Sequence, residues 1–137
     1  MAAAVLAALY LRNRLETGRL VPILLVYFAG GALAWMPAGL LAHVATRRAR
    51  RETRFAAHFL CLTVFTVAVT AFVFALDYRT FYAQWHAPVF TYIWCLQQIF
   101  TMAGASYQFL VIGVPLFLPL GLPLLLATSL LLAWSGR

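Results

Sequence analysis

A chain of 137 residues that is 65% hydrophobic and 9% charged, with a mean hydropathy of +0.92, carries too few charges to keep a globular domain of this size in water. The composition is that of an integral membrane protein. Its net charge of +7 and isoelectric point near 10.3 would point to nucleic acid in a soluble chain. Here most of the basic residues fall in two short runs beside apolar segments, so anionic lipid headgroups are the expected partner and nucleic acid is excluded.

Every basic residue is arginine, a bias that a genome rich in G and C would also produce. Residues 1–11 are apolar but too short to span, and no positive segment precedes them as in a signal peptide. With no helix breaker before Gly18, residues 2–17 read as one helix, apolar first and charged last. Segment 1–19 is therefore expected to lie in or dip into the interface.

Residues 20–45 are long enough to cross the roughly 30 Å hydrocarbon layer, but Pro22, Gly30, Gly31, Pro37 and Gly39 weaken a continuous helix. Two readings stand: a kinked or tilted span, or a re-entrant hairpin turning at Gly30-Gly31. The run Arg47, Arg48, Arg50, Arg51 and Arg54 follows, interrupted by Ala49, Glu52 and Thr53. Arginine near membrane helix ends is retained on the cytoplasmic side, so this loop is expected to be cytoplasmic, in a bacterial inner membrane. It also suits a lipid phosphate or the acidic face of a partner.

Residues 55–76 contain neither Pro nor Gly and read as a straight span. Residues 77–86 then form an expected outer loop whose Tyr78, Phe81, Tyr82 and Trp85 match an aromatic belt. Two further spans, 87–107 and 109–134, complete an all-α bundle of about four transmembrane helices in one domain, 1–137. Pro115, Pro119 and Pro123 recur every four residues, so the carbonyls of Val111, Pro115 and Pro119 lose their helical donors. That face is expected to point into protein, in a bent packing helix or along an ion path.

Three groups are candidate sites. His43 and His58 flank the arginine run at matched distances and, on antiparallel helices, share a depth, where they suit headgroup hydrogen bonding or a haem or other metal. Cys61 lies one turn beyond His58 and would join a metal site; otherwise Cys61 and Cys95, both inside apolar segments, read as small buried hydrophobes, and no disulfide or zinc framework is readable. The arginines Arg47, Arg48, Arg50, Arg51 and Arg54 form the second group. The third is a stripe along residues 87–108, where Thr91, Trp94, Gln98, Thr101, Ala105 and Gln108 follow spacings of three and four, with Gln97 beside it. Lipid cannot satisfy a glutamine amide, so the stripe is expected to pack on other helices, with Gln97 or Gln98 bonded to the 109–134 helix or to a partner chain.

The only acidic residues are Glu16, Glu52 and Asp77, so paired-carboxylate catalysis is excluded by counting, and phosphate-loop and dinucleotide glycine patterns are absent. The expected function is a non-catalytic membrane subunit or scaffold in a larger complex or homo-oligomer. Two alternatives remain: a haem-binding or redox protein using His43 and His58, and an anionic-lipid-handling protein or transporter.

Overall fold

The computed structural model of the chain describes residues 1–12, 14 and 18–135. All regular structure among them is helical: α1 (Ala2–Leu11), α2 (Leu20–Ala45), α3 (Arg51–Tyr82), α4 (Tyr92–Gln108), α5 (Val114–Phe117) and α6 (Gly121–Ser135). A 3₁₀ turn at Ala83–Trp85 follows α3, and a π-helical turn at Phe109–Gly113 joins α4 to α5. Three runs are long and apolar enough to cross a membrane, Leu20–Ala45, Arg51–Trp85 and Tyr92–Phe117, while Ala2–Leu11 and Gly121–Ser135 are apolar but shorter. The outside is apolar too. Phe28, Met36, Phe72, Phe100 and Leu131 each leave more than 60% of their surface uncovered, an exterior suited to lipid.

Helix α3 is the hub, with α2, α4 and α6 packed on it, while α1 packs on α2 and α5. Two ridges of four-residue period form the α2–α3 contact: Gly30, Ala34, Ala38 and Ala42 face His58, Leu62, Thr66 and Thr70, all buried. Small side chains let the backbones approach closely, which is how helices associate where lipid removes the hydrophobic drive. A Cβ on Gly30 would stand 2.7 Å from Thr70 Cα, so no larger residue fits without parting the helices. The Thr70 hydroxyl needs no partner helix, because it donates to the Thr66 carbonyl at 2.6 Å. Helix α6 repeats the spacing with Gly121, Leu125, Ser129 and Ala133 buried, and Leu125 closes a small core with Ala38 and Leu62.

Several elements differ from the sequence expectation. Helix α2 is continuous, so the hairpin at Gly30-Gly31 does not form; the glycine gap is used for helix packing. Pro22 falls in the first turn, where a missing N–H removes no intrahelical bond, and Pro37 alone sits in the interior. Helix α3 begins at Arg51 and runs to Tyr82, taking in Arg51, Arg54 and most of the expected 77–86 loop. No breaker stands between Phe55 and Trp85, and rings one turn apart meet along the helix, Tyr78 tilted against Tyr82 at 4.6 Å and Phe81 edge-on to Trp85 at 5.4 Å. Pro88 ends the run by disfavouring helix at Ala87. The chain then reverses through Phe90, held at φ 68°, and the Thr91 hydroxyl caps α4 by accepting from the Trp94 amide at 3.2 Å.

The expected fourth span, 109–134, is not one helix. Its first part continues α4 as far as Phe117, the chain turns at 118–120, and α6 follows with 15 residues. Helix α1 stops at Leu11 and belongs to the core: Val5, Ala8 and Leu9 cluster with Tyr27, Phe109, Leu116 and Phe117. The expected continuation to residue 17 and the tail after Ser135 fall on residues 13, 15–17, 136 and 137, outside the described part.

Candidate functional site

The prolines of the last segment determine the local architecture. Pro115 has no N–H for the Val111 carbonyl and its ring crowds that turn, and the chain widens into the π turn at Phe109–Gly113. Pro119 likewise cannot serve the Pro115 carbonyl. That oxygen accepts instead from Leu118 N at 3.3 Å, a tightened turn, and from Arg12 Nη2 at 3.0 Å. The Gly113 carbonyl accepts from the Tyr27 hydroxyl at 2.7 Å, with the Tyr27 ring edge-on to Phe117 at 5.0 Å. A Cβ on Gly113 would meet the Phe109 ring at 2.6 Å, so glycine lets that ring fold back against the π turn.

Above this floor lies a cavity of about 350 Å³ between α2, α3 and the π turn. Its covered wall is apolar, from Val26, Phe74 and Leu116, with Ile112 exposed; towards the start of α2 and the end of α3 it carries Arg19, Asp77, Tyr78 and Tyr82, and Gln108 borders the π turn. Arg19 immediately precedes α2, and its guanidinium carbon lies 4.4 Å from the Phe81 ring centroid, a cation–π contact. Among the described residues, one guanidinium and one carboxylate are the charges on a pocket whose size falls within the roughly 300–1,000 Å³ range of small-molecule sites.

No protein family, characterised protein or solved structure matches this chain. The function must therefore be read from the sites themselves.

A second, smaller cleft of about 260 Å³ lies towards the other end of α3, lined by Trp35, Gly39, His43, Arg54, His58, Leu132 and Ser135. His43 and His58 thus share one cleft. His43 is exposed, whereas His58 is 4% exposed and its ring is tied down, Nδ1 donating to the Arg54 carbonyl at 2.8 Å. Nε2 is the ring atom left for a ligand. The cleft is smaller than typical pockets for drug-sized ligands and does not enclose a macrocycle, so these residues fit a small group better than haem. Cys61 packs instead against the Ala38, Leu62 and Leu125 core, and no group of three or more His, Cys, Asp or Glu stands together among the described residues. Arg47, Arg48 and Arg50 lie on the exposed turn between α2 and α3, while Arg51 and Arg54 occupy the first turn of α3.

Along α4, Trp94, Gln97, Gln98, Thr101, Gly104, Ala105 and Gln108 are covered or half-covered, and the other residues between Tyr92 and Gln108 are exposed. The amides do not reach the last helix. Gln97 Oε1 accepts from the Ala87 amide at 2.8 Å, and Gln98 Nε2 donates to His86 Nδ1 at 2.9 Å. With Nδ1 accepting, the His86 proton sits on Nε2, which donates to Thr101 Oγ1 at 3.2 Å. The polar stripe therefore fastens the 86–91 turn to α4, where a bond to the 109–134 segment is expected from sequence. That segment's open carbonyls take Arg12 and Tyr27 instead.

Sequence reasoning missed the larger cavity. It assigns Asp77, Tyr78 and Tyr82 to a loop and leaves Arg19 in the interfacial segment 1–19, and only the distant pairing of α2 with α3 brings them together. The proline period was the available signal, since it marks where the wall of α4 and α5 must open.

Proposed function

We propose that the protein is a membrane-embedded binding protein that holds one amphipathic molecule, its apolar tail in the cavity between α2, α3 and the π turn. The head lies against Arg19 and Asp77. The observation that carries this reading is the mixed lining of the cavity, a mostly apolar wall that bears, among the described residues, one positive group at the start of α2 and one negative group near the end of α3. A zwitterionic head answers both charges: its anionic part meets the Arg19 guanidinium, and its ammonium meets Asp77 and the faces of Tyr78 and Tyr82. A purely anionic head would leave Asp77 opposed.

Lipid binding to detergent-purified protein, followed by native mass spectrometry, tests this. Wild type is expected to bind phosphatidylethanolamine more tightly than phosphatidylglycerol. Asp77→Asn is expected to weaken the former about tenfold, in line with the roughly 1.5–3 kcal/mol of a charge-assisted hydrogen bond. Equal binding of the two lipids, unchanged in Asp77→Asn, would contradict the reading.

A second reading, a packing subunit of a larger membrane assembly or homo-oligomer, draws support from α4, whose uncovered face carries Tyr92, Ile93, Ile99 and Phe100. A stoichiometric second membrane protein recovered on purification would favour it. Phe100→Ser would then reduce that recovery.

A further inference from the structure

We infer, building on the packing reading of α4, that the outward face of this helix pairs with the same face of a second copy of the chain. Ile93, Leu96, Phe100, Ala103 and Tyr107 recur at alternating spacings of three and four residues, and all are exposed. That is the repeat with which two parallel helices interlock their side chains. Helix α4 carries no charged residue between Tyr92 and Gln108, and its covered side is taken by α3.

Lipid covers only the inner part of this face. Arg54 and Asp77 bracket the apolar stretch of α3, whose length at about 1.5 Å per residue matches the roughly 30 Å hydrocarbon layer. Arg19 meets Phe81 just beyond Asp77, which puts the start of α2 at the same edge. Gly104 of α4 lies beside Tyr78, its Cβ position 3.5 Å from the Tyr78 hydroxyl, so the edge crosses α4 there. From Gly104 out to Tyr92 the helix rises about 18 Å, whereas the headgroup layer is only about 5–8 Å deep. Phe100 therefore lies among the headgroups, while Ile93 and Leu96 stand beyond the lipid on a helix with no charge to suit it to water. Their cover has to come from protein.

A second copy supplies it at the right height, because all copies enter the membrane in one orientation. A twofold axis along the membrane normal sets each residue of the face against its own counterpart, and with no charge on the face no like charges are opposed. Ala103 allows close approach where the face enters the bilayer. The area is sufficient as well. Tyr92, Ile93, Leu96, Ile99, Phe100 and Tyr107 leave 78%, 60%, 37%, 63%, 73% and 68% of their surfaces uncovered. Together they offer roughly 800 Å² per chain, the amount each partner gives to a standard interface.

Single cysteines in a Cys61→Ser/Cys95→Ser background test the pairing; the background removes Cys95, which is exposed beside the face where burial is expected from sequence. Leu96→Cys and Ala103→Cys lie on the face, and Thr80→Cys and Gln84→Cys are exposed sites at similar heights beyond Asp77. Copper-phenanthroline oxidation in native membranes, read on a non-reducing gel, is expected to give a covalent dimer with the first two and at least tenfold less with the others. Leu96→Glu, a change outside the bilayer, is expected to keep its helical circular dichroism and to raise the dimer dissociation constant about tenfold or more in native mass spectrometry. A monomeric chain with no cross-link, equal cross-linking at all four positions, or Leu96→Glu pairing like wild type would overturn the inference. A different membrane protein recovered one-to-one, with no cross-link at Leu96→Cys or Ala103→Cys, would also overturn it and would leave the packing reading of α4 standing.

Discussion

Gly30 sets how closely α2 and α3 run, because the position of its absent Cβ is already occupied by Thr70. Gly30→Leu is expected to destabilise the bundle by about 1–3 kcal/mol, the usual cost of overpacking, visible as a lowered melting temperature in detergent. The opposite result is expected at Thr63, whose buried hydroxyl has no hydrogen-bond partner among the described residues. Thr63→Val keeps the shape and removes that group, so a gain of about 1 kcal/mol is expected in the same assay. An unchanged or lowered melting temperature would show that the hydroxyl is satisfied. Gly30 was legible in part. Its spacing of four with Ala34, Ala38 and Ala42 is visible in the chain, but glycine also weakens helices, and only the facing residues of α3 decide which property matters.

At the scale of elements, the prolines of the last segment and the glutamines of α4 are the informative cases. The sequence shows that carbonyls near Pro115 must find new donors; it does not show that Arg12 supplies one, since that depends on α1 folding back onto α5. Arg12→Leu removes the donor, and hydrogen exchange of the 118–120 turn is expected to accelerate while exchange in the centre of α3 stays unchanged. Acceleration throughout the chain would mean that Arg12 holds the whole fold. The glutamines show the reverse case. Their need for partners was legible, but the partners are neighbours in the chain, because Pro88 turns 86–91 back along α4. Gln98→Leu therefore strips His86 of its donor within one molecule. It is expected to cost about 1 kcal/mol of stability, whereas Ile99→Leu on the exposed face costs nothing measurable. Equal melting temperatures for the two variants would place no weight on the His86 link.

For the whole molecule, composition and apolar run lengths were enough to read a helical membrane protein, and three helices meet the length and hydropathy for spanning. The expected fourth span is not found as one helix, because two of the prolines in 109–134 divide what periodicity alone treats as one. Five arginines with one glutamate at one end of α3 lead to the expectation that this end faces the cytoplasm. In intact cells, a cysteine at Ala83 is expected to react with an impermeant thiol reagent while one at Ala49 is protected; the reverse pattern would invert the orientation. Photo-crosslinking with a phosphatidylethanolamine bearing a diazirine in its acyl chain tests whether the larger cavity holds an amphipathic molecule. Adducts mapped by peptide mass spectrometry are expected to concentrate on Val26, Phe74 and Leu116 and to fall when unlabelled phosphatidylethanolamine is added. Adducts spread evenly over outward residues such as Leu33, Leu40 and Ile93, with no competition, would show that lipid only surrounds the protein and that the cavity holds none.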